Sequence, residues 1–448
     1  MLPTAVRVAD VSFDFRDYLY RTPIKFGGVA LDRVTLLNVT LTVEGRDGRT
    51  AEGVGSMPLG NVWAWPTRAL TYGDTLGAMK WTASRVALLY GSFRGAGHPL
   101  DITHALEPHV LAERDVYPRL HGWAGEVPVL AVLVVASAFD AALHDAYGKL
   151  HGRNCYRAYG PGFVEHDLGH YLGPGFAGDR LDRYVSEAPQ PRMPLYHLVG
   201  ALDPLTPADV AGPVGDGLPE HLGGWIARDG LTHLKVKLNG DDLGWDADRV
   251  VRVNAVAEQT RPGEPGWHYS LDFNERCKGV GYLLEFLRQL RERSPAAYDR
   301  VQYVEQPTAR DLKADRGNVM HEAARLKPVV IDESLVDLES LRLAREMGYT
   351  GVAFKACKGQ TQSLLLAAAA QKYGLFRCVQ DLTCVGASLV HSAGLAAHIP
   401  GVAAIEANGR QYCPAANAGW DDRFPGVFTI RDGVMNTALL DGPGLGAG

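Results

Sequence analysis

The chain has 448 residues, 46% of them hydrophobic and 21% charged, with a net charge of −6. That length can bury a large core and suits two domains, and the composition is ordinary for a globular enzyme. No long basic run offsets the acidic balance, which argues against nucleic acid or an anionic membrane as main partner.

Residues 6–15, 34–44 and 50–56 are rich in Val, Thr and Leu and read as strands. The last two are joined by the hairpin turn GRDGR. The opening VRVADVSFDF alternates like a strand and shows no apolar h-region, so it is not read as a signal peptide. Two aromatic stretches, 17–28 and 56–66, read as irregular loops that could set specificity, with Tyr20 and Met57 as candidate substrate contacts. A plainer reading packs Tyr18, Tyr20, Met57, Trp63 and Trp65 at a domain interface.

Helical patterns follow over 76–90, 101–116 and 129–150. Strands followed by helices suggest an α+β unit over residues 1–130. The longest apolar run, Val127 to Phe139, is short for a bilayer and contains a proline, so a buried helix is expected. Residues 160–192 have no clear period and read as a surface excursion, a lid or a subunit contact. Within them, 173–178 has GxGxxG spacing, but no strand precedes it and Pro174 sits inside. His166 and His170 stand four apart with Gly169 between them and no HExxH glutamate, so zinc is not expected there. The six cysteines are scattered without a CxxC, and a reducing cytoplasm is the expected setting.

From residue 193 the pattern becomes strand, helix, strand, helix. MPLYHLVGAL is the first strand, and THLKVKL, HYSLDFNE, QYVEQP, PVVIDES, GVAFKACK, LFRCVQDLT and GVAAIEANG follow. Steps of roughly 25–35 residues are what one βα unit needs. This predicts an α/β fold with a β/α barrel over 131–410, interrupted by the 160–192 excursion. Residues 411–448 are expected to return to the first domain, with a poorly ordered Gly-rich tail.

Charged residues end these strands, where such barrels keep their active sites. Side chains two apart share a face of a strand, so Lys235 and Lys237 point together, as do Asp272 and Asn274. The apolar alternates must face the helices, which turns the lysines toward the barrel axis. Charges inside hydrophobic strands are costly unless neutralised. Asp272, Glu305 and Asp332 on neighbouring strands suit a hard cation such as Mg²⁺. Lysine–carboxylate pairs alone could also satisfy them.

With those residues in view, the chain resembles the enolase superfamily, in its muconate lactonizing enzyme-like subgroup (the mandelate racemase/muconate lactonizing enzyme family). RTPIKFGG, TVEGRDGRTAEGVGS and FDAALHDAYGKLHG carry the likeness, with KVK, DFN, VEQP, IDES and KACK in order. The resemblance implies a modified (β/α)7β TIM-type barrel with an N-terminal α+β capping domain. It implies Mg²⁺ on Asp272, Glu305 and Asp332, with Lys237 and Lys355 as an acid/base pair on opposite faces of a small carboxylate substrate. Lys235 would contact the substrate carboxylate and keep its neighbour's pKa low. Asn274, Glu333, Lys358, Gln380, Asp381, Glu406 and Asn408 are candidate substrate contacts, and a homo-oligomer is expected.

The chemistry the resemblance implies is removal of a proton α to a carboxylate, through an enediolate stabilised by Mg²⁺ with a lysine as base. Two opposed lysines favour racemisation or epimerisation of an amino-acid derivative. β-Elimination of the dehydratase or o-succinylbenzoate synthase kind, or cycloisomerisation, would use the same site. Two departures bear on substrate. Glu406 and Asn408 stand where dipeptide epimerases carry Asp-x-Asp, and the seventh strand, CVQDLT, lacks the histidine of acid-sugar dehydratases. His391 and His398 fall on the helix after it, where core or surface roles are expected. A Schiff-base lyase leaves the three buried acids unexplained, and a non-catalytic barrel would be expected to lack a ligand or base.

Overall fold

The computed structural model describes residues 2–26, 29–264 and 266–446. Three antiparallel strands open the chain in the order β1 (Val6–Phe26), β2 (Val29–Gly45) and β3 (Thr50–Pro58). The stretch expected to be an irregular loop from residue 17 is instead the continuation of β1, paired to β2 out to Phe26↔Val29. A register shift between Leu19 and Ile24 breaks the alternation there, which hides the strand from a period-2 reading. Pro23 is tolerated because β1 is an edge strand. Gly27 and Gly28 lie outside the described residues.

Helices α1 (Tyr72–Ser92), α2 (Pro99–Ala112) and α3 (Val129–Leu150) complete this unit. Each of the first two starts on a capping box, Thr71 with Asp74 and His98 with Asp101. Helix α3 is long and apolar enough to cross a membrane, yet 89% of its apolar window is buried inside the protein, as a core helix would be. It lies directly on β3, where the sheet is cut down to glycine. A Cβ on Gly53 would come within 2.2 Å of Ala142 O, and one on Gly55 within 1.9 Å of Ala138 O.

Eight parallel strands form the barrel: β4 (Arg192–Val199), β5 (His233–Lys237), β6 (His268–Asp272), β7 (Val301–Glu305), β8 (Val329–Ile331), β9 (Gly351–Lys355), β10 (Phe376–Gln380) and β11 (Val402–Glu406). Pairing of Ile405 with Leu195 and of Glu406 with Tyr196 closes the ring. The principal outer helices are α4 (Leu222–Asp229), α5 (Leu243–Thr260), α6 (Val280–Arg293), α7 (His321–Leu326), α8 (Leu338–Glu346), α9 (Gln360–Lys372) and α10 (Ala387–His398). A short antiparallel strand, β12 (Val434–Asn436), adds to β4 outside the ring.

The tail departs from its expected disorder. The described part of the Gly-rich tail is anchored: Leu440 and Leu445 are buried, and Leu445 N donates to Asp145 Oδ1 at 2.9 Å. Asn154 Nδ2 donates to Leu440 O and Gly442 O, so the tail's carbonyls have partners that its composition does not reveal. The 160–192 excursion lies against an outer helix of the barrel. It packs along α9, burying Phe176 edge-on to Tyr373, with Gln371 Nε2 donating to Tyr184 O and Lys372 paired to Asp179. These contacts lie at the end of α9 far from the carboxyl ends of the strands.

Candidate active site

Strands β5, β6, β7, β9, β10 and β11 each deliver a polar side chain at their last residue: Lys237, Asp272, Glu305, Lys355, Gln380 and Glu406, all buried. Asp332 follows β8 directly. Lys235, two residues before Lys237, shares its inward face and reaches the barrel axis. Its Nζ lies 2.9 Å from Glu305 Oε1, 3.0 Å from Glu406 Oε2, 3.1 Å from Asp272 Oδ2 and 2.7 Å from Gln380 Oε1. Lys237 pairs with Asp272 at 2.5 Å on one side of this centre. On the other side Asp332 pairs with Lys355 at 2.9 Å and with Lys358 at 3.1 Å. The three carboxylates thus sit between two lysines carried by β5 and β9.

Six buried carboxyls, those of Asp272, Glu305, Asp332, Glu333, Asp381 and Glu406, face four buried lysines, 235, 237, 355 and 358. The surplus of negative charge shows in their proton affinities. Burial alone would raise Asp272 and Asp332, but the lysines outweigh it and hold both below the usual carboxylate range. For Glu305 the relief from Lys235 and Lys237 is not enough: burial, and then the charge of Asp272, push it well above that range. Glu333 is pushed up to about 8 by burial and then Asp332, and Asp381 to about 8 by burial and then Glu406. Burial opposes the charge on Lys235 and Lys355, yet the surrounding acids, Glu305 first for Lys235 and Asp332 first for Lys355, keep both ionised. Among the described residues, Glu333 Oε2, Asp381 Oδ1 and Asn408 Oδ1 are buried without a hydrogen-bond partner.

Residues 218–448 match the family model described as "Enolase C-terminal domain-like", which covers more than half of the chain. The chain belongs to the enolase superfamily. No curated protein matches it by sequence. Among solved structures it is similar to a dipeptide epimerase from Enterococcus faecalis complexed with Mg and L-Leu-L-Tyr, at 14% identity and TM-score 0.63, covering 98% of this chain and 99% of that one. An N-succinyl Arg/Lys racemase from Bacillus cereus shares 16% identity at TM-score 0.62 over 98% and 95% of the two chains. A muconate lactonizing enzyme from Pseudomonas fluorescens shares 18% at TM-score 0.62 over 98% and 96%. At these identities the likeness shows the shared fold.

In this enolase-superfamily chain one residue over the barrel mouth escaped the sequence reading as a site residue. Trp63, in the short helix after β3, donates from Nε1 to Glu333 Oε1 at 2.9 Å and lays its ring 4.3 Å from Lys355 Nζ. Its spacing gave no signal beyond an aromatic loop, because its partners lie some 270 residues away. Asn274 donates its backbone N–H to Asp272 Oδ1 at 2.8 Å, and its amide approaches Glu333 at 3.5 Å. Asp381 accepts from the backbone N–H groups of Cys384 and Asn408, and Asn408 Nδ2 donates to Glu406. Tyr20 lines a small pocket with Arg33, Trp63, Tyr72 and Thr383. Met57 is 1% exposed and rests on Cys384 Sγ. His398 stacks on Tyr156 at 3.8 Å within the core, and His391 is buried on the same helix.

A cleft of about 130 Å³ lined by Lys25, Asn239, Asn274 and Arg276 leads to Lys237. A larger cleft of about 690 Å³, bounded by Leu31, Arg33, Trp65 and Tyr72, shares Leu31, Arg33 and Tyr72 with the Tyr20 pocket, which Trp63 also lines.

Proposed function

We propose that this chain removes the proton α to the carboxylate of a small substrate, with racemisation or epimerisation of an amino-acid derivative or related carboxylate as the outcome. The observation that carries the reading is the placement of Lys237 and Lys355 on either side of the Asp272–Glu305–Asp332 cluster. One lysine takes the proton from one face of the substrate and the other returns a proton to the opposite face. Each can act as base only when deprotonated and released from its carboxylate partner. Lys235, ionised at the axis, is placed to pair with the substrate carboxylate. Trp63 covers Lys355 and keeps water from it.

The cluster fits Mg²⁺ by its own chemistry: three hard oxygen donors on adjacent strands, in a centre with more buried carboxyls than lysines. Held there, Mg²⁺ would stabilise negative charge developing on the substrate carboxylate. Glu333, Lys358, Gln380, Asp381, Asn274, Glu406 and Asn408 are the substrate-facing set in this reading. The unpaired oxygens of Glu333, Asp381 and Asn408 are open to hydrogen-bonding groups on the substrate. Elimination and cycloisomerisation begin with the same proton removal and are separated from racemisation by product analysis.

Calorimetric titration with Mg²⁺ and turnover assays on variants test the roles separately. Lys237→Ala and Lys355→Ala should each bind Mg²⁺ and lose activity by about 10²–10⁴. Asp272→Ala should lose both Mg²⁺ binding and activity. Turnover by the metal-free Asp272→Ala protein, or full activity in both lysine variants, would overturn the assignment.

A further inference from the structure

In the sequence His166 and His170 have Gly169 between them and no HExxH glutamate to complete a zinc site. The fold supplies what was lacking. Helix α2 brings Asp101 against them, and donor atoms of Asp101, His166 and His170 all lie within 4.8 Å of one another. His104, three residues after Asp101 and so on the same face of α2, has its ring centroid 5.3 Å from that of His170. We propose that Asp101, His104, His166 and His170 bind a divalent transition ion of the zinc class, distinct from the barrel mouth, where the 160–192 excursion meets α2.

The donor set is right for such an ion. Imidazoles with one carboxylate suit zinc and its neighbours and are poor ligands for Mg²⁺. Zn–N bonds of about 2.0–2.1 Å in a tetrahedron put ligand atoms about 3.4 Å apart. The three donors therefore need to close by little more than an ångström, within reach of side-chain rotation. His166 and His170 are exposed and stand with their rings 4.0 Å apart, free to turn.

The backbone under them is held. Asp167 accepts from the N–H groups of His170 and Gly178, Leu168 N donates to Asp179 O, and Gly169 sits where a Cβ would meet Ala177 Cα at 2.9 Å. Asp101 is oriented by the Tyr171 hydroxyl, which donates to its Oδ1 at 2.5 Å, the kind of outer contact that fixes a ligating carboxylate. His98 N approaches the other oxygen at 3.3 Å. With an ion bound, the excursion is tied to α2. The excursion already grips α9 through Phe176 and Asp179, so the ion would join the capping unit to the outside of the barrel.

The test uses chelator-treated protein with excess Mg²⁺ present, so that the carboxylates of the barrel are occupied. Titration with Co²⁺ should saturate at one equivalent, give the visible absorption of nitrogen-ligated cobalt, and be reversed by Zn²⁺. The melting temperature should rise on Zn²⁺ addition. Both responses should vanish in His166→Ala and in His170→Ala, weaken about tenfold or more in His104→Ala, and persist in His121→Ala, an exposed histidine elsewhere. All three site histidines are off the core, so their variants are expected to fold. Absence of a saturable cobalt spectrum in the wild-type protein, or a spectrum and a melting shift that survive in the His166→Ala/His170→Ala double variant, would overturn the proposal.

Discussion

Trp63 and Glu333 show how the centre balances at the level of single side chains. The indole N–H is a donor to a carboxyl that burial and Asp332 keep largely protonated near neutrality, with Oε2 left unpaired among the described residues. Trp63→Phe keeps a ring over Lys355 and removes that donor, so it should cost about 1–2 kcal/mol in urea unfolding. Trp63→Ala should in addition expose Lys355 and raise KM. The carboxyls also set a pH dependence. Glu333 and Asp381 have folded values of about 8, against ordinary values of 4.5 and 3.8. Between those limits the folded chain holds protons that the unfolded chain has released, so stability falls as pH rises. Buried histidines such as His98, His197 and His391, held below 6.5 by burial, act in the opposite sense up to that pH, so the carboxyl contribution is read as the melting temperature of chelator-treated wild-type protein minus that of Glu333→Gln, a difference that should decline from pH 5 to pH 8 and level off above it. A difference that stays constant or grows through the window would contradict the assignment.

At the scale of elements, the seat of α3 on β3 is the tightest joint in the capping unit. Gly53→Ala and Gly55→Ala place a methyl group inside the backbone of α3 and should destabilise by about 3 kcal/mol or more, measured by denaturant unfolding. Elements were legible in the sequence where one local rule decided them. The lysines of β5 were assigned an inward face because their apolar alternates have to meet helices, and Lys235 does reach the axis. Gln380, a candidate substrate contact, is turned inward onto Lys235 and Tyr303. The end of β1 was not legible, because a register shift interrupts its alternation. β12 is only three residues long, and the tail is held by Asp145 and Asn154, contacts no local pattern encodes.

For the molecule as a whole, the candidate centre is shared between the two units. The barrel supplies lysines and carboxylates, while the capping unit supplies Trp63 and the Tyr20 pocket. The barrel half was readable because charged residues recur at the ends of hydrophobic strands at βα spacing. The capping half was not, because which aromatic of 56–66 reaches the mouth depends on how β3 and α3 seat against each other. Placement of Asp101 beside His170 has the same origin. The measurement that bears most directly on the central claim is exchange of the substrate α-proton in D₂O with Mg²⁺, across N-acylated amino acids, N-alkylated amino acids and hydroxy acids. The account predicts deuterium at the α-carbon of one class, formed from both enantiomers, and absent in the Lys237→Ala/Lys355→Ala double variant. Turnover of a substrate with no α-deuterium incorporated, or exchange that persists in that double variant, would contradict it.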